Sequence, residues 1–200
     1  MITRDVERGT YTYHFGNGRS RELPSIHRIL APVIDYTAPD YALNRGRLVH
    51  RALEIIDKSE GGGLHMDSLH PELRPRVEAY LDFKEHTGLK VFNLIEEPLV
   101  CLKNGFAGTP DRFTVSRIIL EIKNGPPIGW EGLQLAGQAG LIQARSHLRS
   151  PPIRRSVHLF PNGKWKMETW DDSADWHVFL SLLDVHNWRI RNDRDSAGPD

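Results

Sequence analysis

Cysteine is nearly missing from this sequence: Cys101 is the one example in 200 residues. A lone thiol excludes an intrachain disulfide and any iron–sulfur or zinc centre built on several cysteines, and it fits a reducing compartment. Net charge is missing as well, because 26 lysines and arginines offset 26 aspartates and glutamates. Overall charge therefore draws no polyanion to the molecule, and any such attraction must come from local patches. No run of about 18 apolar residues occurs, which argues against a membrane-spanning helix. The polar residues 1–7 lack the apolar core of a secretory signal. Together these absences predict a cytoplasmic protein with no membrane partner. Internal repeats and low-complexity segments are absent too, and His14, His65 and His70 have no partner at zinc-ligand spacing.

What remains is an ordinary globular composition, 39% hydrophobic and 26% charged, in a chain long enough for one domain with a substantial core. Residues 1–191 are expected to form that domain. Within it, 1–40 make a hairpin-and-helix decoration, and the polar stretch 192–200 is expected to be a disordered tail. Residues 10–15 are rich in β formers and run into Gly16-Asn17-Gly18, a hairpin turn. Ser25 is placed to cap a short helix over 26–31. Across residues 41–58, Leu48, Val49, Ala52, Leu53, Ile55 and Ile56 recur at helical spacing, and Gly61-Gly62-Gly63 stops the pattern. A second helix is expected over 75–86, with Val77, Tyr80 and Leu81 marking its faces and Gly88 beyond its end.

Extended segments follow at 91–95 and 99–102, then a turn at Asn104-Gly105, then 106–115 and 117–123. A helix over 130–147 carries Ala136, Gly137, Ala139, Gly140 and Ala144. Its glycines lower helix propensity and point to close packing against another backbone. A hairpin joins 155–160 to 164–170 across Pro161-Asn162-Gly163. Asp171-Asp172-Ser173 then opens a final helix to Arg191, bearing Trp176, Phe179, Leu180, Leu183 and Trp188. This order predicts an α/β fold, a mixed β-sheet flanked by helices.

The chemistry concentrates in residues 108–123. Gly108-Thr109-Pro110-Asp111 ends one extended segment, and Glu121-Ile122-Lys123 ends the next. Side chains two apart on a strand share a face, so Glu121 and Lys123 project together while Ile122 turns into the core. A hairpin between the segments brings Asp111 beside Glu121. Two carboxylates and an ammonium converging is what a magnesium-dependent phosphodiesterase needs: the carboxylates hold the metal, and the lysine orients or activates water. Alone, an E-x-K triplet is equally a solvated hairpin face with a cross-strand ion pair. The setting weighs against that. Ile118, Ile119, Leu120 and Ile122 mark a central strand, where charge is costly unless paired or metal-bound. On the earlier helix Gly46, His50, Glu54 and Asp57 form one stripe, which can aim His50 at the same place with Glu54 to orient it. Gln134 and Gln138, one turn apart on the later helix, are either an exposed polar face or contacts to a DNA backbone or a metal's surroundings.

Taken in order, Gly46-x-x-x-His50, Gly108-x-x-Asp111, Glu121-Ile122-Lys123 and Gln134 resemble the motifs of the PD-(D/E)XK nuclease superfamily in its RecB-like exonuclease branch. The four cysteines of that branch's iron–sulfur members are not present. The resemblance covers residues 46–138 and implies a restriction-endonuclease-like core. It implies a Mg²⁺- or Mn²⁺-dependent deoxyribonuclease, an exonuclease of recombination, repair or phage DNA processing. The implied metal ligands are Asp111, Glu121, His50 and the backbone carbonyl of Ile122. Lys123 is implied to position water and stabilise phosphate charge, with Gln134 as a further active-site group. Many relatives keep another acid where Glu97 stands, with Glu96 competing for that register. Gln138 stands where the family usually has tyrosine, a departure that bears on substrate handling. Arg45, Arg47 and Arg51 flank the histidine motif, and Arg145, Arg149, Arg154 and Arg155 cluster at a helix end and the next strand. All are candidate DNA contacts. The expected partner is DNA, linear duplex or single strand, with a homo-oligomer or a recombination partner protein as further expectations. The rival readings are an endonuclease of the same superfamily and a non-catalytic nucleic-acid-binding module on the same fold.

Overall fold

The computed structural model describes residues 1–35, 38–59 and 63–196, with side chains described as far as Asn192. The expected stop at Gly61 and Gly62, and the last four residues of the expected tail, lie outside these. Three short strands open the chain: β1 (Ile2–Asp5), β2 (Thr10–His14) and β3 (Ser20–Pro24), paired antiparallel in that order. The sequence reading missed β1, because Ile2-Thr3-Arg4-Asp5 is mostly exposed and shows no apolar alternation. Helix α1 (Ile26–Leu30) follows, and the Ser25 hydroxyl caps it by accepting from the Arg28 amide at 3.1 Å, as predicted. Next come α2 (Asp40–Lys58) and α3 (Arg74–Thr87), the latter closed by Gly88 in the left-handed region at φ 70°.

The remaining elements are β4 (Phe92–Ile95), β5 (Leu99–Cys101), β6 (Phe106–Gly108), β7 (Arg112–Thr114), β8 (Ile118–Lys123), α4 (Glu131–Ser146), β9 (Ile153–Leu159), β10 (Trp165–Thr169) and α5 (Ala174–Ser196). The main sheet runs β10-β9-β8-β7-β4. β8 and β9 are parallel, with α4 as their crossover, and the other pairs are antiparallel. The sheet is therefore mixed, as expected. The stretch 106–115, read as one strand, is two. Pro110 has no N–H for a ladder, and the chain changes partners there: β6 pairs with β5, while β7 joins β4 and β8. The last helix continues to Ser196, past the expected end at Arg191.

Helices cover both faces of the sheet. On one side α2 and α3 pack Val49, Leu53, Val77, Tyr80 and Phe83 against Leu120, Ile122, Val157 and Leu159. On the other, α1, α4 and α5 pack Ile29, Leu135, Leu141 and Phe179 against Phe113 and Ile119. Alternation along β8 sends Leu120 and Ile122 to the first side and Ile119 to the second. Glu121 and Lys123 share the face of Ile119, which turns them toward α4. Leu48, Leu81 and Trp188, counted in the helical patterns, are exposed instead.

The glycines of α4 do mark close packing, but against aromatic side chains and not a backbone. A Cβ on Gly137 would lie 2.8 Å from the Phe179 ring, and one on Gly140 would lie 2.6 Å from Trp176. Among the described residues no helix is long and apolar enough to cross a membrane.

Candidate active site

Four elements bring one cluster together. Asp111 sits just ahead of β7, where the partner change at Pro110 turns it inward, and it is 5% exposed. Its Oδ2 accepts from the backbone N–H of Ile122 at 2.7 Å, which ties it to β8. Glu96 follows β4 with φ at 50°, a conformation a non-glycine residue seldom holds without a reason in its surroundings. Its backbone N–H donates to the Asp111 carbonyl at 3.0 Å. His50, on α2, places Nδ1 3.3 Å from Glu96 Oε1 and 3.5 Å from Asp111 Oδ1, and donates from Nε2 to the carbonyl of Ile122 at 3.1 Å. The ligand atoms of His50, Glu96 and Asp111 all lie within 4.8 Å of one another. Carboxylate and carbonyl oxygens with one imidazole suit Mg²⁺ or Mn²⁺.

Beside this trio Glu121 and Lys123 face α4. Glu121 Oε1 accepts from Gln134 at 2.6 Å and from Lys123 at 3.1 Å, and Oε2 accepts from Gln138 at 2.6 Å. Lys123 also donates to Gln134 Oε1 at 2.8 Å, and its ammonium lies 5.2 Å from the Trp130 ring centre. Both glutamines thus face inward, onto the carboxylate. They do not form an exposed polar stripe.

Charge is held tightly here. Burial opposes the charged form of His50, yet the Asp111 and Glu96 carboxylates outweigh it and hold the ring's pKa well above its ordinary value. Burial would raise Asp111, but His50, the Ile122 N–H and Arg112 bring it below the usual carboxylate range. Glu121 is raised, first by burial and then by the nearby Asp111 charge. Lys123 is raised despite burial, because Glu121, Asp111 and Glu131 surround it with negative charge.

Behind the trio lies a support that sequence reasoning missed. Arg112 is fully buried; Nε donates to Asp57 at 2.7 Å, and Nη1 reaches the Asp111 carbonyl at 2.7 Å and Glu96 Oε1 at 3.2 Å. Asp57 in turn accepts from Tyr80 at 2.7 Å and from Lys84. The available signal was an arginine directly after Asp111 in a short strand beside the apolar β8, together with Asp57 on the His50 stripe.

The cluster opens into a cleft of about 650 Å³. Arg47 and Arg51 line it, as does Arg4 of β1, which the sequence reading did not single out. Arg45, Arg145 and Arg149 are not among its lining residues. The Arg45 guanidinium lies 5.6 Å from the Tyr41 ring centre, and Arg149 is exposed. Arg145 pairs with Glu97 at 2.5 Å, about 10 Å along α4 from Gln138 by helical rise. Glu97 is thus turned away from the site, and Glu96 fills the place considered for it. Arg154 is held by Asp175 at 2.8 Å and by two backbone carbonyls. Arg155 donates toward the Met167 sulfur.

Glu54 does not orient His50; it pairs with Arg51 at 2.7 Å and Lys58 at 2.6 Å. Gly46 approaches the Asn124 side chain just beyond β8, but a Cβ there would keep an ordinary 3.8 Å contact. Gly108 packs closely on Ile26 and Leu141, whose side chains a Cβ would meet at 2.9 and 3.0 Å.

No protein-family model matches the sequence, and no curated protein matches it. Solved structures do. A protein of Eubacterium rectale, its crystal structure described as that of a candidate exonuclease, aligns with a TM-score of 0.54 and 10% identity over 88% of this chain and 76% of its own. That likeness shows a shared fold. An alkaline exonuclease from Laribacter hongkongensis aligns over 86% of this chain and 94% of its own at 15% identity, but its TM-score of 0.29 carries no argument.

Proposed function

We propose that the protein is a divalent-metal-dependent deoxyribonuclease that removes nucleotides from DNA ends. The observation that carries this reading is the convergence of His50, Glu96 and Asp111 within 4.8 Å, next to Lys123 and Glu121, at the wall of an open cleft. The motif order and the fold shared with a candidate exonuclease support it.

His50, Glu96, Asp111 and the Ile122 carbonyl would hold the ion. Glu121 stands outside that close group but would be a further ligand, since its three hydrogen bonds leave acceptor capacity on a carboxylate with about four lone-pair sites. When bound, Mg²⁺ or Mn²⁺ supplies Lewis-acid polarisation of a phosphate oxygen and a bound water of lowered pKa. The chain's own groups do the rest. Lys123, fixed by Glu121 and Gln134, directs an ammonium N–H toward the charge that develops on the phosphate. Gln134 and Gln138 hold the Glu121 carboxylate in one orientation. Arg112 fixes Glu96 and the Asp111 backbone. Arg4, Arg47 and Arg51 offset the phosphates on either side of the scissile bond.

Incubation with linear and circular DNA, with and without Mn²⁺, beside a Lys123→Ala variant tests this. The expected result is metal-dependent loss of linear DNA alone, abolished in the variant. Cutting of circles identifies an endonuclease, and DNA binding without cleavage under any metal removes the enzyme reading.

A further inference from the structure

A second cleft, of about 540 Å³, lies where β2, β3, α1 and α5 meet. Its walls carry Arg8, Arg21 and Arg28 against a single acid, Glu22, with His186 and Asn187 of α5 completing it. In a chain of zero net charge this is a local concentration of positive charge. The arginines are anchored. Arg28 uses Nη1 on the Arg8 carbonyl at 3.0 Å, Arg21 uses Nη1 on the Leu102 carbonyl at 3.1 Å, and Arg8 pairs with Glu22 at 3.2 Å. Each guanidinium has five N–H donors in a planar fork, so Arg21 and Arg28, each anchored through one nitrogen, keep the others for a ligand, while Arg8, which meets both Glu22 oxygens through its two Nη atoms, keeps Nε and one hydrogen on each Nη.

Gly105, at φ 81°, leaves the space Arg21 occupies: a Cβ there would lie 2.9 Å from Arg21 Nη2. His186 Nε2 is buried and has no hydrogen-bond partner among the described residues. The ring's pKa is lowered by burial and then by Arg28 and Arg189, which is the field an anion would relieve.

This cleft and the candidate active site share a wall. Leu23, Pro24 and Arg28 line the one, and Ser25, Ile26 and His27 line the other; Thr10 and Tyr11 divide in the same way. We propose that the arginine cleft binds phosphate groups, carried either by a nucleic-acid strand that also engages the active cleft or by a free nucleotide. Arginine forks match phosphate oxygens two at a time, and His186 and Asn187 add side-chain hydrogen-bonding groups. The strand form of the proposal rests on the nuclease reading; the nucleotide form does not.

The test is made in EDTA, so that no cleavage is involved. His186 ring resonances are followed by NMR during titration with inorganic phosphate, thymidine 5′-monophosphate and a short DNA oligonucleotide. Oligonucleotide affinity is measured across salt concentrations for the unaltered protein and for separate Arg8→Gln and Arg28→Gln variants. Arg8→Gln serves as the variant with little structural risk, because that side chain is 64% exposed and its ion pair is to Glu22. Binding to a strand predicts a shift of His186 on adding oligonucleotide, a several-fold weaker affinity in both variants, and a salt slope smaller by about one for each phosphate that is no longer neutralised. Binding of a free nucleotide predicts saturable shifts with monophosphate or inorganic phosphate and no change in oligonucleotide affinity. A His186 unmoved by all three probes, with both variants binding DNA like the parent, overturns the proposal. A protein that shows these shifts but cleaves nothing in Mn²⁺ keeps the phosphate site and loses the nuclease reading.

Discussion

Glu96 and Glu97 are chemically identical neighbours with opposite fates. The positive φ at Glu96 turns its carboxylate to His50 and Arg112, while Glu97 pairs with Arg145 on the surface. The two should separate sharply in assay. Glu96→Gln keeps the size and loses the charge, and cleavage should fall about 10- to 100-fold or more, the usual range for groups that hold or orient a metal's ligands. Glu97→Gln should leave activity unchanged, since a pair with both side chains 46% exposed contributes about 0–1 kcal/mol. Equal losses in both variants would remove Glu96 from the site. Lys123 needs a different measurement. Its ammonium faces Glu121 and Gln134 and is not one of the ligand trio. Lys123→Met should therefore lower turnover by about 10²- to 10³-fold, as removal of one transition-state donor does, while calorimetry still records Mn²⁺ binding. Loss of Mn²⁺ binding in that variant would assign Lys123 to holding the metal site together.

At the scale of elements, the sequence was readable where a signal is local. β8 announced itself through four apolar residues and an E-x-K ending, and strand and helix spacing with one short hairpin was enough to aim Asp111, Glu121, Lys123 and His50 at one place, where the fold brings them together. Other features depend on distant partners. Arg112 and Asp57 meet across 55 residues, and no local pattern shows that a buried arginine on a strand has its carboxylate waiting on a helix. β1 escaped because an exposed strand at a sheet's edge has no apolar rhythm. The α4 glycines fall between: the strip of small residues declared close packing, but the partners, Phe179 and Trp176, stand about 40 residues away. Gly140→Ala makes the point measurable. Helix propensity favours alanine by about 1 kcal/mol, yet the new methyl would sit 2.6 Å from the Trp176 ring. Overpacking of that kind costs about 1–3 kcal/mol, so the midpoint of thermal unfolding should fall or at best stay level. A clear rise would show that α5 yields at this contact.

At the scale of the whole molecule, one charge network joins α3, through α2, to the cleft that α2 lines. Lys84 and Tyr80 of α3 meet Asp57 of α2, Asp57 meets Arg112, and Arg112 reaches Glu96 and Asp111. Asp57→Ala leaves Arg112 buried without its main counter-charge, and breaking such a pair costs about 3–5 kcal/mol. Chemical denaturation should record that loss, with cleavage falling in parallel because Glu96 and Asp111 lose their common anchor.

The same coupling runs in reverse when the site is loaded. A ligand that binds only the folded chain stabilises it by about 2.7 kcal/mol at one hundred times its dissociation constant. For a chain of this size each kcal/mol moves the thermal midpoint by about 2–4 °C. Saturating Mn²⁺ should therefore raise the midpoint by about 5–10 °C with no DNA present, and EDTA should reverse the rise. In Asp111→Asn, where one oxygen donor has lost its charge, the rise should shrink or vanish, although the variant still folds. An equal rise in both proteins would place the bound metal somewhere other than the His50–Glu96–Asp111 cluster.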